Sequence, residues 1–528
     1  MLGIHFLPYQ DIPMTPQPHR KLPDNTPIII GVGQCVERLQ PRAIPPFKAP
    51  MQLAATACQA ALQDAGIPAQ EIDTIAVIRL FSDTVNIWAS PLGGSDNPPE
   101  SVARRIGAVP THRIYSNASG TEPLHLMAEL AGAIARGEKK IALLTGAEAI
   151  ASQRFAQRNA LVDDWREEFD TPFENRKDLD RLVSMEEVQG GLTLPVRSYA
   201  IIENSQAHRM GHDRQQHQRF MTQLMAPFSA VAAANPYAQF QTAYSADELA
   251  APGPNNYPIS LPYTKLLIAQ DAVNQASALI LTSVGHARRL GVDPQQWIFL
   301  ESYAEGADKH LSEREDPGRS AAMERVLSTA MDSAGASHED IDLIDIYSCF
   351  PCAVTAACDV LGLPTDGSRA LTVTGGLPYF GGPGNNYSAH ALAEMAVRLR
   401  GAPSRALVTA NGGILSKHAA AVLTTDAARA TNTDWTRSDK LTLDCSDIPV
   451  RPIAKNAQRG TVISFTVVAR RDKDDIAVVL AETAGGERFL ASNTELAVTG
   501  PMQANSPIGR DIDVHVDQDR QLFSFHQA

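Results

Sequence analysis

Ala61-Leu-Gln-Asp-Ala65-Gly66 and Ala330-Met-Asp-Ser-Ala334-Gly335 are two versions of one pattern. Shortly after each, Glu71-Ile72-Asp73-Thr-Ile75-Ala-Val77 is answered by Asp340-Ile341-Asp342-Leu-Ile344-Asp-Ile346, and both matches are offset by 269 positions. Each copy reads as a helix closed by glycine, a short polar link and an apolar strand. The correspondence resumes at Leu124-His125-Leu-Met-Ala128-Glu129-Leu-Ala131 and Ala389-His390-Ala-Leu-Ala393-Glu394-Met-Ala396, offset by 265. It continues through Arg136-Gly137 with Arg400-Gly401, and Leu143-Leu144-Thr145 with Leu407-Val408-Thr409, offset by 264. Several matches in one order, with small steps in offset, point to a duplicated unit with small loop differences.

Strands alternating with helices in each copy predict a mostly parallel sheet covered by helices, hence an α/β core with pseudo-twofold symmetry. The expected organisation is a tail over 1–26, a first half over 27–285 and a second half over 286–428. A linker over 429–459 and a small barrel over 460–528 follow. The stretch of about 151–258 has no counterpart in the second half. It is rich in Arg, Gln, Glu and Asp, reads as helical near Tyr199–Gln218, and is expected to fold over the first half. In the last hundred residues the pattern changes. Thr461–Val468, Ile476–Thr483, Glu487–Ala491 and Leu522–Phe525 read as consecutive strands separated by polar turns, which predicts an antiparallel barrel or sandwich.

Composition narrows the function. The chain has 528 residues, 44% hydrophobic and 20% charged, enough for about three domains and unlike a disordered chain. Its net charge of −13 argues against nucleic acid and anionic membranes as partners. Within the expected barrel, Asp472, Asp474, Asp475, Asp511, Asp513, Asp517 and Asp519 oppose the basic groove an oligonucleotide needs. No apolar run approaches the roughly 20 residues of a bilayer span, and the first 25 residues lack a basic-then-apolar leader. Six cysteines, three of them at Cys349, Cys352 and Cys358, form no disulfide framework and suggest a reduced, cytoplasmic protein.

Local motifs add to this frame. Asn117-Ala118-Ser119-Gly120 runs into a helix that is followed by Leu143-Leu-Thr-Gly146-Ala-Glu148. The second half carries Tyr347-Ser348-Cys349-Phe350, Gly375-Gly376-Leu377, Gly381-Gly382-Pro383 and Asn411-Gly412-Gly413. In this order, over about 27–425, the chain resembles the thiolase superfamily. The run Gly381 to His390, the run Asn411 to His418 and the added barrel are similar to the thiolase-like proteins of type 1. The resemblance implies a duplicated thiolase-like fold with a coenzyme A or acyl-CoA ligand. It also implies an acyltransferase relationship of the acetyl-CoA acetyltransferase kind, a place in lipid metabolism, and a monomer or homodimer. It puts Asn117 at the position of the nucleophilic cysteine, Gly382 at that of the histidine in Gly-His-Pro, and Asn411 near the last catalytic cysteine. The family's chemistry is therefore altered.

The residues themselves leave two functions open. A thiolate attacks thioesters because it is nucleophilic near neutral pH, and it needs a base or a cation beside it. Cys349 is the thiol at a thiolase active-site position, with His390 or His418 as its expected base. The alternative is a buried structural cysteine beside a packing histidine, since His125 matches His390 through the repeat. Asn117 can orient a carbonyl, or it can cap the following helix. Gly382, Asn385 and Asn386 form a loop whose backbone permits close approach to a ligand, or else a tight turn. Tyr347, Asn411, Gly412 and His418 are further expected ligand contacts. Cys349-x-x-Cys352 alone is no zinc site, and His208 and His212 lack further ligands. Arg209, Arg214 and Arg219 are candidate partners for coenzyme A phosphates, or a solvated face. The reading is an acyl-CoA-handling acyltransferase relative, with a non-catalytic acyl-CoA binder or scaffold as the alternative.

Overall fold

A computed structural model describes residues 22–526 apart from 86–87, 178–181, 401–403, 432 and 518–519. Most of the expected tail over 1–26, together with Gly401 and Asp519, lies outside the described residues.

The duplicated pattern appears as duplicated structure. Helix Pro50–Ala65 ends at Gly66, whose φ of 67° is the left-handed geometry of a C-cap; helix Ala321–Ser333 is its counterpart, and Gly335 follows it with φ 56°. Single 3₁₀ turns over Ala69–Glu71 and His338–Asp340 lead into strands Thr74–Val77 and Leu343–Asp345. Helices Glu122–Ala135 and Tyr387–Leu399 then lead into strands Ile141–Ala149 and Arg405–Gly412. These two helices are almost wholly buried, as their apolar residues on all sides require.

One sheet joins both halves. Its order is Leu343–Asp345, Arg405–Gly412, Lys417–Thr424, Ile298–Ala307, Pro27–Val36, Asn274–Ser283, Ile141–Ala149, Thr74–Val77, His112–Tyr115 and Glu174–Asn175. The halves meet through two antiparallel pairs, Ile28↔Phe299 and Ile29↔Ile298. The sheet is mixed rather than mostly parallel. Strand Thr74–Val77 runs parallel to its two neighbours, and Leu343–Asp345 runs parallel to Arg405–Gly412, but Lys417–Thr424 returns antiparallel through the turn at 413–416. A four-residue turn cannot make the crossover a parallel strand needs.

The insertion does more than cover the first half. Its helices Pro195–Arg209 and Arg214–Ala234 also pack against helix Pro351–Leu361 of the second half, and the first of them against the C-terminal strand Arg459–Val468. Asn204 Nδ2 donates to Leu261 O (2.9 Å) and Phe465 O (2.8 Å), and Ser464 Oγ donates to Ile201 O (2.6 Å). The C-terminal strands Arg459–Val468, Ile476–Glu482, Arg488–Asn493, Arg520–Phe525 and Asp511–Asp517 close on themselves as a five-strand barrel. The pairing of Arg488–Asn493 with Arg520–Phe525 is parallel, because helix Leu496–Ala504 and strand Asp511–Asp517 intervene. The segment before the barrel is anchored as well. Trp435 Nε1 donates to Leu300 O (3.1 Å), and Ser438 Oγ sits where a Cβ on Gly132 would lie, so this segment lies against helix Glu122–Ala135.

Candidate functional site

Three loops and one insertion side chain converge at the end of the second-half strands. Gly120, just before helix Glu122–Ala135, lies so close to its neighbours that a Cβ would stand 2.3 Å from Asn411 O and 2.6 Å from Tyr347 Oη. Only glycine permits that approach. Gly412 is equally close to Ser119, since a Cβ there would stand 2.1 Å from Ser119 Oγ. The loop at 117–121, Tyr347 and the turn after Asn411 therefore form one packed centre. Asn117 is half-buried within it and its carbonyl accepts from Ser116 Oγ (2.6 Å); Thr121, not Asn117, holds the N-cap position of the helix.

Cys349 lies in this centre, 8% exposed. Its sulfur accepts from Asn411 Nδ2 at 3.5 Å. Burial pushes the thiol up to about 11, against the lowering effect of the Tyr199 hydroxyl and Asn411 amide beside it. Tyr199 Oη accepts from Asn411 Nδ2 (2.9 Å) and Leu415 N (3.0 Å), and its hydroxyl donates to Gly413 O (3.2 Å). Tyr347 is buried too, and desolvation raises its phenol above the usual range. This is a thiol held as a thiol.

The expected base is elsewhere. His390 is fully buried; Nδ1 bonds Gln34 Oε1 (2.7 Å), and its ring packs edge-on against Phe380 at 5.2 Å. Burial lowers its pKa to about 3, so it is neutral and a poor proton acceptor. None of its described contacts reaches Cys349, and the Cys349–His390 pairing expected from sequence is not formed. Its repeat mate His125 differs, as Glu305 carboxylate oxygens 3.0 Å away raise it to about 9 against the opposing effect of burial. His418 is 2% exposed; its Nε2 donates to Ser320 Oγ (2.9 Å) and Leu415 O (3.1 Å), and burial lowers it to about 4.

The loop at 381–386 is sealed rather than open. Gly382 N donates to Gln270 O (2.8 Å), Asn385 Nδ2 to Arg79 O (2.9 Å), and Asn386 Nδ2 to Gly146 O (2.9 Å) and Ser277 Oγ (3.0 Å). These bonds tie the second half to the first. Glu148 lies at the same junction, accepting from Phe81 N at 2.6 Å. Of the insertion arginines, Arg209 is engaged with Asp316 and Asp359. His208 is exposed, and His212 lies beside the buried His217, with 3.4 Å between their Nδ1 atoms.

The concave space beside the centre opens on its insertion side. A cavity of about 420 Å³ is bordered by Ala118 and Ile414, next in sequence to Asn117 and Gly413. Its far wall comes from 182–195 of the insertion, and Trp88 lines its side, stacked on Phe81 at 4.2 Å. Of the thirteen large apolar side chains that are exposed among the described residues, five surround it: Val85, Leu182, Met185, Val188 and Leu194. Such clustering marks a binding surface. Arg79, Lys177 and Lys417 add positive charge and Asp83 a carboxylate. Sequence reasoning missed this wall and Tyr199, because both lie in the insertion, where no repeat registers them. Glu148 carried a signal, an acid inside the apolar strand Ile141–Ala149.

A duplicated core, a helix pair buried between the halves and a centre at the ends of their strands define a thiolase-like protein. The fold matches the acetyl-CoA acetyltransferase of Syntrophomonas wolfei (16% identity, TM-score 0.53, 76% of this chain and 99% of that one). It also matches the Acat5 thiolase of Ascaris suum solved with coenzyme A (14% identity, TM-score 0.53, 76% and 99%). Similarity to the monomeric SCP2-thiolase-like protein type 1 of Mycobacterium smegmatis is far higher: 33% identity and TM-score 0.81 over 96% of this chain and 100% of that one. The chain belongs to the SCP2-thiolase-like proteins of type 1. No family model and no curated protein matches it.

Proposed function

We propose that this protein binds acyl-CoA thioesters in the cavity beneath the insertion and does not perform thiolysis. The observation that carries the reading is the cavity itself. Its apolar wall suits an acyl chain, and its cations suit the phosphates of coenzyme A. Its floor borders the centre where the fold family conducts its chemistry. Asn117 cannot form an acyl-thioester, Cys349 is sealed as a neutral thiol, and His390 is committed to Gln34. These three facts favour a binding protein over an acyltransferase. The reading includes a cytoplasmic monomer, with the barrel at 460–528 as a separate unit braced on the insertion.

Titration with acyl-CoAs of increasing chain length tests it, followed by calorimetry and by the fluorescence of Trp88, the tryptophan that is not deeply buried. Affinity rises with chain length, by up to about 0.8 kcal/mol per buried methylene, and Lys177→Glu weakens it. Intact-mass spectra show no acyl adduct. An adduct on Cys349 restores the acyltransferase reading, and absence of binding at every chain length ends both.

A further inference from the structure

Across the 117–121 loop from the apolar cavity lies a second, polar cleft. It measures about 510 Å³ and is bordered by the first turn of helix Glu122–Ala135, the end of strand Ile298–Ala307, Lys417, His418 and 442–446. Ser119 lines this cleft while its neighbour Ala118 lines the apolar cavity, and Lys417 borders both. The two spaces approach the same centre from different sides.

Two side chains in the cleft wall keep a buried polar atom without a hydrogen-bond partner, Glu122 Oε2 and His418 Nδ1. The residues are 6% and 2% exposed. Leaving such atoms unpaired costs about 1–3 kcal/mol each, a cost that a hydrogen-bonding ligand would offset. The character of that partner follows from the network. Ser320 donates its hydroxyl hydrogen to Asp308 Oδ2 (2.6 Å), so its oxygen accepts from His418 Nε2 (2.9 Å), as Leu415 O also does (3.1 Å). The proton therefore sits on Nε2, and Nδ1 is a lone pair that only accepts. Burial raises the Glu122 carboxyl towards its protonated form, which both donates and accepts. The charges around the cleft balance, with His125, Lys309 and Lys417 against Glu305, Asp308 and Asp444. An anion would meet a lone pair and a carboxyl, and an apolar molecule would leave both atoms unpaired. A single water takes only about 30 Å³ of such a space.

We propose that this cleft is a second ligand site for a small, uncharged, polyhydroxylated molecule, with one hydroxyl donating to His418 Nδ1 and another bonded to the Glu122 carboxyl. The site does not depend on acyl-CoA binding.

The test uses the full chain labelled with ¹⁵N-histidine, titrated with glycerol and, in parallel, with 1,2-dimethoxyethane, which has no donor. The expected result is a saturable upfield shift of the His418 Nδ1 resonance with glycerol alone. Ser446→Trp, at the exposed mouth, weakens that response by about tenfold or more. Val450→Trp, exposed on the same segment but outside the cleft, leaves it unchanged. Equal, unsaturable drift with both compounds overturns the proposal, as does an unaltered glycerol response in a folded Ser446→Trp. The contrast between the two compounds in the unmodified protein decides the matter even if Ser446→Trp fails to fold.

Discussion

Glu148 is buried to 3% exposure, with the backbone of Gly384 so close that a Cβ there would stand 2.2 Å from Oε1. Desolvation pushes its carboxyl from an ordinary 4.5 up to about 8. The folded state thus holds a proton that the unfolded chain releases near 4.5. The associated stability is complete below that pH and falls away as pH rises towards about 8. Glu148→Gln keeps the carbonyl acceptor for Phe81 N and removes the titration. Its free energy of unfolding should exceed that of the unmodified protein by a margin that grows from pH 5 to pH 8, reaching on the order of 4 kcal/mol. A constant difference across that range would remove this account. Cys349 offers a second test at this scale. A thiol held near 11 is ionised in roughly one molecule in ten thousand at neutral pH, and all six cysteines are buried. Iodoacetamide should leave the folded protein unlabelled and modify Cys349 only on unfolding, while Cys349→Ser retains acyl-CoA binding.

Among the elements, the segment at 381–386 most changes the meaning of its sequence. Its three glycines and two asparagines read equally well as a ligand loop or as a tight turn, because both need a backbone that others can approach. What decides is the partner: Arg79, Gly146, Gln270 and Ser277 all belong to the first half. Contacts spanning more than 100 positions leave no local trace in sequence. The element types were legible because helix caps and apolar periods are local, and the duplication placed the second-half elements against the first. The sheet's mixed direction, the strand Asp511–Asp517 and the insertion's grip on the barrel were not, since each depends on distant packing. Of the centre, the positions Tyr347, Cys349, Asn411 and Gly412 were visible as motifs and do come together, with Ser119 and Gly120 of the loop that Asn117 begins, while His390 and Gly382 belong to the junction. Asn385→Ala and Asn386→Ala should therefore each lower stability by about 1–3 kcal/mol, from the carbonyls they leave unpaired. Neither should alter acyl-CoA affinity by more than about twofold. The reverse pattern, with unchanged unfolding and lost binding, would make the segment a ligand loop after all.

For the whole molecule, the decisive feature is how the sheet ends. A sheet edge is a template for another chain unless it is short or covered. One edge strand is Leu343–Asp345, and the segment after Gly367 runs beside it, with Ile346 N donating to Leu371 O (3.0 Å). The other is Glu174–Asn175, two residues from the insertion that pair with Ile114 and Tyr115 and so cover strand His112–Tyr115. Among the described residues, neither end offers a run long enough to recruit a partner strand. The segment Trp435–Lys440 lies on helix Glu122–Ala135, with Ser438 Oγ against Gly132, and its flanks are tied to strand Ile298–Ala307: Thr433 Oγ1 donates to Glu301 O (2.8 Å), Trp435 Nε1 to Leu300 O (3.1 Å), and Leu443 N to Glu305 O (2.8 Å). The remaining cluster of exposed apolar side chains lines a cavity, which suits a small ligand better than a flat protein surface. The protein should therefore elute as a monomer of 56.9 kDa by light scattering across a wide concentration range. Trp435→Ala should cost about 3–5 kcal/mol through the lost core contact. By loosening the segment over helix Glu122–Ala135, it should also raise the tendency to self-associate. A concentration-independent mass of twice the chain for the unmodified protein would show that these covered edges do not determine its state of association.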